Sequence, residues 1–260
     1  EYIHEISEIE GVASFSPKNP NTLWYTTSAE AAGVSYPWME YALPLGNGEL
    51  GCMVFGGVRT EELQFNEKTL WTGDKDDFSY GAGSSYDYGA YQNFGYLKIT
   101  TGHSSSSNYN RELDLSTATG KVSYTSSSVN YTREYIASYP HNVVVARFSA
   151  NKTGKQNLTI SLTKGQGLSN GSVSYSNGVI SLSGKLTTVS YGARIKVINK
   201  GGTITTSSSN IKVSNADEVY IDMEKNSVNT LTDASSYVFE NPADDKPNAC
   251  IYSSDDLTIK

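Results

Sequence analysis

Cysteine, histidine and tryptophan are scarce in this chain: 2, 3 and 3 of its 260 residues, with charged residues at only 18%. Cys52 and Cys250 lack C-x-x-C spacing, which removes a dithiol redox motif and a zinc site from consideration. They read as two buried thiols, with a disulfide between them as the alternative. His4, His103 and His141 have no metal-like spacing and read as solvated or capping side chains. No apolar run approaches the ~20 residues that a membrane-spanning helix takes. No run of Lys or Arg interrupts a net charge of -7 and a pI near 5.0, so the basic footprint of a nucleic-acid or anionic-membrane binder is missing. Neither partner is expected, nor is a cofactor or a metal. Helical periodicity is also lacking: apolar residues at i, i+3, i+4 and i+7 never persist for three turns, so helices should be few and short.

What is abundant is Ser, Thr, Asn, Gly and tyrosine, the last at 19 residues, a balance suited to sheets with one solvated face. Alternation with a period of two dominates from about Phe94 onward. Val129, Tyr131, Tyr135 and Ala137 share one strand face, and Asn130, Thr132, Glu134 and Ser138 the other. The same pattern sets Leu158, Ile160 and Leu162 against Thr159, Ser161 and Thr163. It then sets Tyr191, Ala193, Ile195 and Val197 against Arg194 and Lys196, and Val219, Ile221 and Met223 against Tyr220 and Asp222. Asn177-Gly178 is a hairpin signal, joined by Gly201-Gly202 and the Ser207–Asn210 cluster. An all-β fold follows, a large antiparallel β-sandwich of the supersandwich kind, with a closed barrel as the structural alternative. The expected division is an N-terminal extension over 1–20, the sandwich over 21–240, and a linker or tail over 241–260. Residues 72–93 have the makeup of a long exposed loop.

One block is unusually informative: Trp38-Met39-Glu40-Tyr41-Ala42-Leu43-Pro44-Leu45-Gly46-Asn47-Gly48-Glu49-Leu50-Gly51, followed by Asn66-Glu67-Lys68-Thr69-Leu70-Trp71-Thr72-Gly73. Three later stretches keep the same order: Tyr91-Gln92-Asn93-Phe94-Gly95-Tyr96-Leu97, Tyr109-Asn110-Arg111-Glu112-Leu113-Asp114-Leu115, and Tyr131-Thr132-Arg133-Glu134-Tyr135. Together they resemble the N-terminal domain of glycoside hydrolase family 95 enzymes, of the α-L-fucosidase type, over about residues 20–150. The resemblance implies a non-catalytic domain whose partner is the protein's own C-terminal helical barrel, an (α/α)6 domain that this chain ends before reaching. It also implies an inverting hydrolase acting on an oligosaccharide, its acid and base about 6.5–9.5 Å apart and both in the barrel. Cys52, Glu49 and Asn93-Phe94-Gly95-Tyr96 depart from the family's usual residues and leave the sugar open, α-L-fucoside or α-L-galactoside.

The expected setting is extracytoplasmic, secreted or periplasmic, in a bacterium, with any signal peptide removed. There the sequons at Asn130, Asn151, Asn157 and Asn170 would mark only polar loops, whereas in a eukaryotic secretory pathway they would permit glycosylation.

Gly46, Gly48 and Gly51 around Asn47 read as a turn leading into a strand, where glycine supplies positive φ or close approach, with Pro44 presetting the turn. Met53-Val54-Phe55 reads as a strand buried on both faces. Asn66 and Glu67 ahead of Trp71 form a candidate substrate rim, amide and carboxylate for hydroxyls and indole for a sugar face. The competing reading is an Asx-type turn in which Glu67 pairs a backbone or Arg group. Arg133 falls on an apolar strand face and must be paired; Asp114 or Glu112 is the expected partner. No catalytic residues are assigned, because Glu61-Glu62, Asp76-Asp77, Asp244-Asp245 and Asp255-Asp256 are adjacent pairs whose members point to opposite faces of a strand. Asp74, Asp76, Asp77 and Asp87 lack the glycine and glutamate positions of a Ca²⁺ loop. The rival function is a carbohydrate-binding module that stacks glycans on tyrosines and on Trp24, Trp38 or Trp71.

Overall fold

The computed structural model describes residues 17–30, 33–73, 90–186 and 189–225. Among the described residues sixteen strands carry the fold. The first eight are β1 (Thr22–Tyr25), β2 (Leu43–Gly46), β3 (Leu50–Val54), β4 (Thr60–Glu67), β5 (Gly95–Thr100), β6 (Ser107–Asp114), β7 (Thr119–Ser126) and β8 (Val129–Ser138). The rest are β9 (Val143–Ala150), β10 (Gln156–Lys164), β11 (Ser172–Ser176), β12 (Val179–Lys185), β13 (Ser190–Lys200), β14 (Thr203–Thr206), β15 (Ile211–Ala216) and β16 (Glu218–Lys225). Among the described residues helix amounts to one turn, α1 (Pro37–Glu40), a 3-10 turn at Gln166–Leu168 and Glu30 in 3-10 conformation.

The strands form two antiparallel sheets, one of nine in the order β1-β6-β7-β8-β9-β16-β13-β12-β11 and one of seven in the order β14-β15-β10-β5-β4-β3-β2. Their facing sides bury Leu63, Phe65, Leu97, Ile99 and Ile160 of the smaller sheet against Val122, Tyr135, Ala146, Phe148, Ile195 and Ile221 of the larger. This is the sandwich that period-two alternation predicts, since every second side chain of each strand points into one shared layer. β8 shows the rule: Val129, Tyr131, Arg133 and Tyr135 are buried, and Asn130, Thr132 and Glu134 lie toward solvent.

Turn chemistry agrees at Asn177-Gly178, where φ values of 48° and 76° build the two-residue turn between β11 and β12. Ser207 closes the β14–β15 hairpin, its hydroxyl accepting from the Ser209 and Asn210 amides. Gly201-Gly202 is different. It carries the chain from β13 in the nine-stranded sheet to β14 in the seven-stranded one, a crossover rather than a hairpin. Pro44 sits inside β2 opposite Met53 rather than in a turn, tolerated because β2 is a sheet edge. Met53 is half-buried under a small satellite cluster of Ala29, Ala42 and Phe55 against Tyr41 and Tyr96.

Arg133 corrects a pairing. Its partner is Glu61, 72 residues away on β4, with Nη1 donating to Oε2 over 2.8 Å. Glu112 and Asp114 sit on the opposite face of β6 from buried Arg111 and Leu113, where Glu112 lies 3.7 Å from Lys121 and Asp114 accepts from Asn19 and from the Ser116 amide. Arg133 also donates to the carbonyls of Gly57 and Val58 and to the Tyr124 hydroxyl. Glu61 in turn accepts from Tyr135 and from the Gly56 amide. Burial alone would lower the Arg133 pKa, but the surrounding Tyr124, Tyr135 and Glu61 carry it above the usual guanidinium value.

His103 belongs to the rim of this network and is neither a cap nor fully solvated. Its ring lies 4.3 Å from Tyr131, and Nδ1 is 2.9 Å from the Tyr124 hydroxyl. Arg133 donates to that same hydroxyl, so Tyr124 links the guanidinium to the imidazole. Burial, then the Arg133 charge, holds the His103 pKa below the ordinary value. A native pKa below the unfolded one gives stability that is complete above about pH 6.5 and declines as pH falls toward the native value. His103→Gln should therefore flatten the first part of the acid limb when unfolding free energies at about pH 7.5 and about pH 5 are compared. An unchanged difference would remove this assignment.

Candidate functional site

β4 ends with Asn66 and Glu67 on opposite faces, as neighbours on a strand must be. Asn66 points outward over Gly51, whose partner position it occupies; a Cβ at Gly51 would come within 2.5 Å of Asn66 Oδ1. Glu67 points inward and is 0% exposed. Its Oε2 accepts from the Thr69 amide and hydroxyl at 3.0 and 2.5 Å, and Oε1 faces Lys225 Nζ at 3.8 Å. Lys225 also reaches Glu49, which is ion-paired with Lys68. Burial opposes ionisation of Glu49, but hydrogen bonds from Lys68 and Lys225 bring its pKa down.

Trp71 is the most exposed of the three rim candidates, at 48%. Its Nε1 donates to the Lys68 carbonyl at 2.9 Å, and the ring leans on Tyr91 at 5.3 Å. Trp38 and Trp24 are exposed to a similar degree. The neighbouring turn is held by Asn47, whose Oδ1 accepts from the Glu49 and Leu50 amides. Its Nδ2 donates to the Ser138 carbonyl and to Asn142, tying the β2–β3 turn to the other sheet. Gly48 takes φ 90°, the role glycine is expected to fill there. Gly46 ends β2 opposite Gly51.

Beside Trp71 lies a surface cavity of about 260 Å³ lined by Tyr91, Gln92, Asn93, Tyr96, Gln166 and Gly167. Backbone bonds hold its walls: Gln92 N to Leu70 O, Phe94 N to Phe65 O and Gly165 N to Phe94 O. Two glycines let Gln92 and Asn93 of the lining pack closely. A Cβ at Gly167 would fall 1.7 Å from Gln92 Oε1, and one at Gly165 would fall 2.3 Å from the Asn93 carbonyl. Tyr96 accepts from Gln64 through its hydroxyl. Burial, then the Glu67 charge, raises the Tyr91 pKa, so its phenol keeps its proton and remains a donor. The sequence marks Tyr91–Tyr96 as one run, but nothing local ties Gln166 to it; the β5–β10 pairing does that. A second, smaller hollow of about 170 Å³ is lined by Pro44, Leu45, Leu113, Leu115 and Ala137 among others.

Among the described residues no three His, Cys, Asp or Glu side chains gather as metal ligands, and no helix is long and apolar enough to cross a membrane. Cys52 is buried and forms no disulfide among them, and burial raises its thiol pKa. His4, Cys250, Asp74, Asp76, Asp77, Asp87, most of the 72–93 loop and the 241–260 tail lie outside the described residues.

Comparison with known proteins gives fucosidases and one protein named for a carbohydrate-binding domain. Alpha-L-fucosidase 2 of Arabidopsis thaliana is 33% identical over 159 residues, covering 50% of this chain and 19% of that protein. Probable alpha-fucosidase A of Aspergillus niger is 30% identical over 230 residues, covering 74% of this chain and 28% of that one. A carbohydrate-binding domain-containing protein of Acetivibrio thermocellus is 53% identical over 55 residues, 21% of this chain and 19% of that one. The matched regions thus span 19–28% of these relatives' lengths. The family model for the glycosyl hydrolase family 65 N-terminal domain matches residues 23–82 and 77–229, which contain all but the first residue of the two-sheet sandwich. The chain belongs to that family: it is an N-terminal domain of the glycoside hydrolase type, related to fucosidases.

Proposed function

We propose that this sandwich is the non-catalytic N-terminal domain of a secreted, α-L-fucosidase-type glycoside hydrolase of family 95, supporting an (α/α)6 barrel that carries the acid and base. The observation that carries this reading is the match of fucosidases across the sandwich at 33% and 30% identity. The inward placement of the fully buried carboxylates supports it. Glu61 is locked to Arg133 and Tyr135, and Glu67 to Thr69, whereas an inverting pair must flank a sugar and a water with about 6.5–9.5 Å between carboxyl groups. All four sequon asparagines are exposed, in keeping with a secreted protein in either kind of host. Hydrolysis of an aryl α-L-fucoside, compared between this chain and a polypeptide extended through the barrel, tests the proposal. The extended protein should turn it over and this chain should not; turnover by this chain alone would end the reading.

A second reading, a carbohydrate-binding module for fucosylated or related glycans, is favoured by the exposed Trp71–Tyr91 pair and by the name of the Acetivibrio relative. Isothermal titration with fucosylated oligosaccharides separates the two: a module gives micromolar binding, and a supporting domain gives none in that range.

A further inference from the structure

We infer that the cavity between Tyr91, Asn93, Tyr96 and Gln166 is a binding site for a single neutral pyranose ring. Its volume, about 260 Å³, falls just under the ~300 Å³ lower end of small-molecule sites, a size for one ring rather than a chain of them. The lining carries no ionised group: two phenols, three primary amides and a glycine. Phenol rings offer flat apolar faces to the C–H side of a sugar, and amides offer donors and acceptors to its hydroxyls.

Three features mark the site as built. Gln92, Asn93 and Gln166 bring three primary amides to one concave surface, so donors and acceptors converge there without any charge. Gly165 and Gly167 let Asn93 and Gln92 pack closer than any Cβ would allow, which holds those two amides in place. The 92–94 backbone is pinned to β4 and to the end of β10, so little ordering is left for binding to oppose. Trp71, tilted against Tyr91, extends the aromatic surface beyond the cavity mouth, where the next unit of an oligosaccharide would lie. The nearby charges, Glu67 and Lys225, face one another instead of the cavity, which favours a neutral ligand over a uronate.

The site does not depend on the supporting role; only the choice of first probe rests on the fucosidase reading. Amide NMR of this chain, titrated separately with methyl α-L-fucopyranoside, methyl β-D-galactopyranoside, methyl β-D-glucopyranoside and sodium D-glucuronate, tests it. At least one methyl glycoside should shift resonances of residues 91–96 and 166–167 with a millimolar Kd, and Tyr91→Ala and Gln166→Ala should each weaken it at least about tenfold, the loss of a stacking face or a directed hydrogen bond. Both side chains reach solvent, and the amide spectrum itself reports whether each variant folds. Binding of the fucoside supports the site and its fucosidase context. Binding of the galactoside or glucoside with the fucoside silent supports the site while counting against that context. Silence from all three methyl glycosides, shifts confined to other residues, shifts unchanged by both variants, or a response to glucuronate alone would overturn it.

Discussion

Arg133→Met should lower the free energy of unfolding by about 3–5 kcal/mol, the usual result of breaking a buried ion pair by removing one partner. The size follows from what is left behind. Glu61 is 0% exposed and would keep only the Tyr135 hydroxyl and the Gly56 amide. The carbonyls of Gly57 and Val58 and the Tyr124 hydroxyl would lose their donor together. Glu61→Gln should cost less, because an amide still accepts from Tyr135 or Arg133 and carries no charge to desolvate. The pair Glu61→Leu with Arg133→Met should fall well short of the summed single effects, since residues in one network couple by about 0.5–3 kcal/mol. Urea unfolding of the parent chain, Arg133→Met, Glu61→Gln, Glu61→Leu and the double variant gives the values; strict additivity of Glu61→Leu and Arg133→Met would show that the two side chains act separately.

Gly95→Ala is the second large effect. Gly95 opens β5 at φ +130°, and a Cβ there would sit 2.1 Å from Thr163 O, 2.8 Å from Lys164 Cα and 2.9 Å from Gly165 N, all backbone. Strain of this kind is worth about 1–3 kcal/mol, and overpacking typically adds about 1–3 kcal/mol more. No rotamer change relieves it. Relief requires β5 to move from β10, which also opens the Tyr91–Gln166 cavity. Gly102→Ala is the comparison, because Gly102 has φ +77° with nothing near its Cβ position and should show only the cost of the left-handed conformation, roughly 1–2 kcal/mol. Equal losses in the two variants would mean that the close approach at Gly95 is relaxed without penalty.

Much of the fold was legible because alternation is a local property. A residue's neighbours at i±2 decide which face it shares, so the strands around Tyr131, Ile160, Ile195 and Ile221 could be placed from the chain alone. The Asn177-Gly178 hairpin was legible for the same reason, its φ values being intrinsic to those residue types. Gly201-Gly202 was not, because two glycines permit a turn without saying whether the next strand returns to the same sheet or crosses to the other. His103 escaped local reading because its surroundings, Tyr124 and Tyr131, come from another hairpin.

The candidate site divides along the same line. The motif grouped Asn66, Glu67 and Trp71 as a candidate rim without deciding which of them faces solvent, and the separation of Asn66 from Glu67 follows once β4 runs through both. Gln166 and Gly167 had no signal near Tyr91; the antiparallel register that sets Lys164 opposite Gly95 brings them together.

By itself the amino-acid order determined that the chain forms layered antiparallel strands, which side chains point inward, and which motifs tie it to glycoside hydrolase N-terminal domains. The tertiary structure alone decided what meets across the layers: Glu61 rather than Asp114 for Arg133, Lys225 for Glu67, and a ring of phenols and amides at one sheet end. Period two specifies a side chain's direction but carries no term for distance along the chain, so opposing partners are set by sheet order and register.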